Sequence, residues 1–144
     1  PNHLHYRFIY SGKPASTKDL VLRFNNWRSS TPKRSKKDPL TALFDASATL
    51  ANRGISLDNL TSYIEALKAL DDAAKIGIYS SEHQDIASAA ERHRLLYKPC
   101  GAGGGDLGVA VGDSASDLDK FARAVSKKYA VIDLEISAHG LYTG

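Results

Sequence analysis

Residues 98–111 read Lys-Pro-Cys-Gly-Ala-Gly-Gly-Gly-Asp-Leu-Gly-Val-Ala-Val, with four glycines among positions 101–105 and an apolar run directly after them. The flanking stretches 93–98 and 107–111 have the short, strand-like composition that such a glycine tract joins as a hairpin-like pair. Two turn residues suffice for a tight hairpin, and every extra glycine adds unfolded-chain entropy of ~1 kcal/mol that folding must overcome. Gly101, Gly103, Gly104 and Gly105 are therefore more than a turn requires. Bare backbone that tolerates positive φ can turn successive N–H groups toward one centre, so the tract is expected to cradle an anion, with phosphate as the natural guest.

Two common nucleotide motifs do not fit. Gly103, Gly105 and Gly108 match the spacing G-x-G-x-x-G, but the last glycine lies inside an apolar strand-like run instead of opening a helix. Gly103 and Gly108 also have the separation of a Walker A loop, yet Val109 and Ala110 stand where Lys and Ser or Thr are needed.

Working outward, Leu4, Tyr6, Phe8 and Tyr10 alternate with His5, Arg7 and Ile9, the period of a strand with one buried face. After Gly12 and Pro14, Ser16 with Asp19 three residues on has N-cap spacing, which predicts a helix over 17–27. A second helix carries Leu40, Leu43, Phe44, Ser47 and Leu50 and stops at Gly54. Ser56 caps a third, with Leu57, Leu60, Ile64, Leu67 and Leu70 in one stripe and Gly77 at or just beyond its end. A shorter helix starts at Ser80 or Ser81, carries Ile86, Ala87 and Ala90, and stops near Arg92. Beyond the strand pair, residues 113–116 supply a turn and cap, Leu118, Phe121, Ala122 and Val125 mark a helix, and 130–136 form a last strand. The order is α+β: ferredoxin-like βαββαβ with extra helices after the first strand, giving an antiparallel sheet covered by helices mainly on one face.

The chain's 144 residues, 42% hydrophobic and 24% charged, suit one globular domain that needs no staple. Its single cysteine, Cys100, has no partner for an intramolecular disulfide and no zinc-site spacing, which favours a reducing, cytoplasmic setting. No apolar stretch approaches a membrane span, and Pro-Asn-His-Leu-His at the start lacks the pattern of a signal peptide, so a soluble protein is expected. The opening on Pro1, with a strand-like run within five residues, reads as a piece of a longer polypeptide. Net charge is +3, and Lys33, Arg34, Lys36 and Lys37 cluster between Pro32 and Pro39. With no aromatic residues among them to stack on bases, they read as a solvated connector, not a nucleic-acid surface.

Gly101-Ala-Gly-Gly-Gly-Asp106-Leu-Gly-Val-Ala110 resembles the third motif of the GHMP small-molecule kinases, in the phosphomevalonate kinase form with an acidic residue after the glycines. Tyr10-Ser-Gly-Lys-Pro-Ala-Ser-Thr17 looks like the strand-to-helix segment with which the family's C-terminal domain begins and reaches its substrate. The likeness runs from Tyr6 to about Leu141 and implies that residues 1–144 are a GHMP kinase C-terminal domain. It further implies that the serine-rich phosphate loop and the groups orienting acceptor and nucleotide lie in a separate N-terminal domain, together with ATP and Mg²⁺. Because phosphoryl transfer relies on positioning and charge neutralisation, this chain alone is then expected to be inactive, with no catalytic residue of its own. The implied activity of the parent is ATP-dependent phosphorylation of 5-phosphomevalonate to 5-diphosphomevalonate in isoprenoid biosynthesis. Another acceptor of the family (mevalonate, a sugar or an amino alcohol), or a non-catalytic ligand-binding or oligomerisation module, remains an alternative.

On this resemblance Gly101, Ala102, Gly103, Gly104, Gly105 and Asp106 form the phosphate loop, and Lys13, Ser16, Thr17 and Cys100 face the substrate. Read as residues, Ser16 and Thr17 sit at a helix start where a cap and an anion site use the same geometry. Lys13 is either solvated or a source of positive charge. Cys100 stands where the family often has Ser, a weaker donor in its place. A carboxylate beside polyanions repels them, so Asp106 is expected to act structurally, accepting loop N–H groups or pairing with Lys98. The five histidines carry no catalytic pattern, and no metal ligand set is expected.

Overall fold

The computed structural model describes residues 3–30 and 38–134. In chain order the elements are β1 (His5–Tyr10), α1 (Thr17–Ser30), α2 (Pro39–Arg53), α3 (Leu57–Ala74), α4 (Ser81–Arg92), β2 (Leu96–Pro99), β3 (Leu107–Gly112), α5 (Ala115–Val125) and β4 (Ala130–Ile132). The strands pair antiparallel in the order β2-β3-β1-β4, the ferredoxin-like arrangement, with α1 to α4 between the first and second strands.

Local chemistry explains the helix limits. Ser56, Ser80 and Ser114 each accept the N–H of the third residue of the helix they open, and Gly54 ends α2 at φ +86°. Replacing Ser56 by Ala should cost about 1 kcal/mol, read as a lowered denaturation midpoint with an unchanged denaturant slope.

The core lies between the sheet and α4 with α5. Ile9, Ile86, Ala90, Ala110 and Phe121 are fully buried there. β3 turns Gly108, Ala110 and Gly112 toward these helices, and such small residues leave room for the large neighbours Tyr97 and Leu95: a Cβ on Gly112 would lie 2.4 Å from Leu95 Cδ2. A second cluster of Leu20, Leu40, Leu70, Ala74 and Ile76, with Phe24 and Trp27 against it, joins α1, α2 and α3.

Several details differ from the sequence reading. In β1 the fully buried residue is Ile9, while Tyr6, Phe8 and Tyr10 on the other face are half-buried. That second face is nevertheless apolar, and Tyr6, Phe8, Val109 and Val111 line a groove of about 460 Å³ with Ile55 and Leu60. Residues 93–95 belong to the exit of α4, since the His93 and Leu95 amides return to Ala90 O and Arg94 takes φ +59°; the strand therefore starts at Leu96. Helix α1 runs on to Ser30. The last strand ends at Ile132, short of the expected 136, with residues 133 and 134 outside it; the basic cluster at positions 33–37 and positions 135–136 lie outside the described residues. Among the described residues, no helix is long and apolar enough to cross a membrane.

Candidate functional site

Tyr10 pairs with Leu107 and Pro99 with Gly108, so β1, β2 and β3 present their loops at one end of the sheet. Three connections meet there: residues 11–16, the α3–α4 connection 75–80, and the glycine loop 100–106. Ser11 N–H donates to Asp106 O at 2.8 Å, Asp106 N–H to Lys13 O at 2.7 Å, and Gly104 N–H to Ile78 O at 2.8 Å. Side chains would not fit between these strands of backbone. A Cβ on Gly105 would come within 2.8 Å of Lys13 O, Pro14 C and Ala15 N, and one on Gly103 within 2.5 Å of Ile78 Cγ2.

This corrects the expected anion nest. The Gly103 amide bonds Cys100 O, and those of Gly104 and Asp106 bond the neighbouring connections, so the loop is not a continuous row of ligand-facing N–H groups. Most of its glycines serve close backbone packing. Among the described residues, the amides of Gly101, Ala102 and Gly105 keep no internal partner; Gly105 is buried, whereas Gly101 and Ala102 are exposed, and Gly101 has φ +62° with open space where a side chain would be. The exposed free amides of the loop are those of that tip.

A filled nest does exist in the next connection. The buried Asp71 carboxylate accepts the N–H groups of Gly77 (2.8 Å), Ile78 (2.9 Å) and Tyr79 (2.9 Å). Arg23 adds a bond to Ile76 O and Gln84 one to Tyr79 O. The carbonyl of Ile78 is thereby placed for Gly104.

From α4, the fully buried His83 reaches the glycine loop. Its Nε2 lies 2.8 Å from Gly105 O and its Nδ1 2.7 Å from Tyr97 Oη. A carbonyl only accepts, so Nε2 carries the proton and Nδ1 accepts from the tyrosine. Burial is the main influence on the ring and lowers its pKa, against the opposing pull of Gly105 O, Glu82 and Asp106. Burial likewise raises the Tyr97 phenol, which stays a donor.

Lys13 is neither free nor merely solvated. Its ammonium meets Glu82 at 2.7 Å, and that hydrogen bond, with one from Ser81, holds the Glu82 carboxyl down to about 2. Glu82 should therefore titrate near 2 by carbon-detected NMR, and Lys13→Ala should return the midpoint toward 4.5. A group lowered in this way contributes its stabilisation above about 4.5 and loses it as the pH falls toward 2. A midpoint unmoved by Lys13→Ala would contradict the pairing.

Ser16 caps α1 through Asp19 N at 3.4 Å, and Ser16 and Thr17 are exposed beside the segment on which Gly105 packs. Cys100 is half-buried; burial pushes its thiol up despite Lys98 nearby, so it is a protonated thiol and a poor nucleophile. Lys98 does not pair with Asp106: its ammonium donates to Pro99 O at 2.7 Å, while Asp106 is exposed at φ +53° and acts through its backbone. Among the described residues no three His, Cys, Asp or Glu side chains cluster to hold a metal.

The sequence reading missed Ser11, Asp71, Glu82, His83 and Tyr97 as parts of this junction. Gly108 was the available signal, since a glycine within a strand marks a close approach; a Cβ there would lie 1.8 Å from Tyr97 Oη.

No family model matches the chain. It is 31% identical over 124 residues to a phosphomevalonate kinase of a Streptomyces species, strain CL190, covering 83% of this chain and 33% of that protein. This is a likeness to the GHMP kinases. The chain resembles the family's C-terminal domain in the phosphomevalonate kinase form. Solved structures share this GHMP fold. Phosphomevalonate kinase of Streptococcus pneumoniae, in complex with phosphomevalonate and AMPPNP, aligns with TM-score 0.67 at 17% identity, over 90% of this chain and 40% of that one. Mevalonate kinase of L. major, in complex with R-mevalonate, aligns with TM-score 0.61 at 18% identity, over 87% and 38%. The chain thus spans about a third of the curated relative and about two fifths of these solved chains.

Proposed function

We propose that this chain is the acceptor-side domain of a two-domain kinase that passes the γ-phosphoryl group of ATP to the phosphate of 5-phosphomevalonate, forming 5-diphosphomevalonate in a cytoplasmic isoprenoid pathway. The observation that carries the reading is the 31% identity, over 83% of the chain, to a phosphomevalonate kinase. The fold shared with a kinase solved with phosphomevalonate and AMPPNP supports it. ATP and Mg²⁺ belong on this reading to an N-terminal domain, which also supplies the serine-rich phosphate loop. The present domain supplies the exposed Gly101–Ala102 amides and the start of α1 at Ser16 and Thr17 as anion-facing groups. Lys13 leaves Glu82 for the acceptor's phosphate. Cys100 shapes the approach to the loop without direct chemistry.

Positioning and charge neutralisation are the chemistry of phosphoryl transfer, and half of the clamp offers little of either. The full-length polypeptide should phosphorylate phosphomevalonate with ATP and Mg²⁺ in preference to mevalonate, homoserine and sugars, and residues 1–144 alone should show no turnover. Preference for another acceptor in that panel would reassign the substrate, and turnover by the isolated domain would refute the division of labour.

A further inference from the structure

The peptide unit between Gly105 and Asp106 is held at both ends by groups from different elements. Its carbonyl accepts from His83 Nε2 on α4, and its N–H donates to Lys13 O ahead of α1. The imidazole is held in turn by Tyr97 Oη on β2, and Gly108 leaves the space through which that hydroxyl reaches it. Nothing in this line touches the open tip at Gly101 and Ala102, yet it fixes the peptide by which the same loop packs on residues 13–15 just ahead of α1.

We propose that His83 is a positioning residue for phosphoryl transfer, acting with Tyr97 through the Gly105 carbonyl to hold the glycine loop against the start of α1. The inference rests on the proposed kinase function for its kinetic consequence, but its structural content is independent of the substrate. The neutral ring with its proton on Nε2 completes the line with the Tyr97 hydroxyl donating to Nδ1, whereas a charged ring would require that hydroxyl to turn round and accept. The ionisable groups bearing on the ring are Glu82 on its own helix, itself paired with Lys13, Asp106 in the loop and the Tyr97 phenol on β2.

The test uses the full-length polypeptide. His83→Leu removes both hydrogen bonds, whereas His83→Gln keeps a side-chain N–H donor and a carbonyl acceptor. The leucine variant should lower kcat/KM for the phosphorylated acceptor roughly 10- to 100-fold, the scale of a misplaced reacting group, and leave the KM for ATP unchanged. The glutamine variant should recover most of that loss. Amide hydrogen exchange over residues 100–106 should accelerate in the leucine variant and return toward the wild-type rate with glutamine. Tyr97→Phe, which removes a hydrogen bond that favours the neutral ring, should shift the acid limb of the pH–rate profile to higher pH.

Ring-¹⁵N NMR of the wild-type enzyme should show His83 neutral with its proton on Nε2 at pH 7, a reading that survives even if the leucine variant fails to fold. A charged ring, a proton on Nδ1, or exchange over 100–106 that is the same in a folded leucine variant would overturn the proposal. Failure of phosphomevalonate as acceptor, with the NMR and exchange results as expected, would instead count against the kinase substrate and leave the positioning line standing.

Discussion

Asp71→Ala is expected to cost the domain about 3–5 kcal/mol of folding stability, most of what a single side chain here is placed to contribute. Its carboxylate accepts three successive N–H groups, those of Gly77, Ile78 and Tyr79, from a buried position. Alanine leaves three donors without acceptors, each costing about 1–3 kcal/mol where water does not reach it. Partial hydration holds the total below the simple sum. Against a global stability on the order of 5–15 kcal/mol, such a loss should lower the melting temperature by about 10–17 °C.

Asp71→Asn separates shape from charge. It keeps the volume and one carbonyl oxygen, but turns an NH₂ group toward a donor, so it should be nearly as damaging as alanine. An asparagine variant within about 1 kcal/mol of wild type would show that the three amides do not depend on the carboxylate. The damage should also spread: with residues 77–79 released, Ile78 O is no longer held for the Gly104 amide, and exchange at Gly104 should rise.

Asp71 also shows where sequence reasoning reached its limit. Glycines capable of an anion nest were recognised at 101–105, yet the filled nest in the described structure lies at 77–79, occupied by a carboxylate from the same chain. Hydrogen bonds between residues close in sequence were readable, because Ser56, Ser80 and Ser114 need only the helix that follows them. The element order followed from periodicity and turn residues, and the ferredoxin-like sheet from that order. His83 meets Gly105, and Tyr79 Oη meets Tyr97 O, only once α4 has folded back on β2 and the glycine loop, and no spacing rule encodes such pairs. The burial of Ile9 in place of Tyr6 and Phe8 has the same origin, since Ile9 shares its face with His5 and Arg7 and tertiary packing, not the alternation, decides which face the helices cover.

Gly108→Ala should be the most damaging single-methyl change in the glycine-rich stretch. The added Cβ would lie 1.8 Å from Tyr97 Oη and 2.3 Å from its Cζ, far inside contact distance. Tyr97 is 3% exposed and its hydroxyl is bonded to His83, so the ring has no easy way out. Relief requires either β3 to shift against β2 or the tyrosine to leave its pocket and give up His83. Overpacking of this kind costs about 1–3 kcal/mol, and the lost buried hydrogen bond adds about 1–3 more.

Gly101→Ala provides the contrast. It has open space at its Cβ and pays only for a left-handed backbone at φ +62°, about 1–2 kcal/mol. A double-mutant cycle identifies the cause of the Gly108 effect. If collision with the ring is responsible, Gly108→Ala should cost much less in a Tyr97→Leu background, where no aromatic ring stands over the strand, and the two penalties should fall short of additivity by at least about 1 kcal/mol. Equal penalties in both backgrounds would locate the need for glycine in the strand itself, and the close approach of Tyr97 would then be a consequence of the small residue instead of the reason for it.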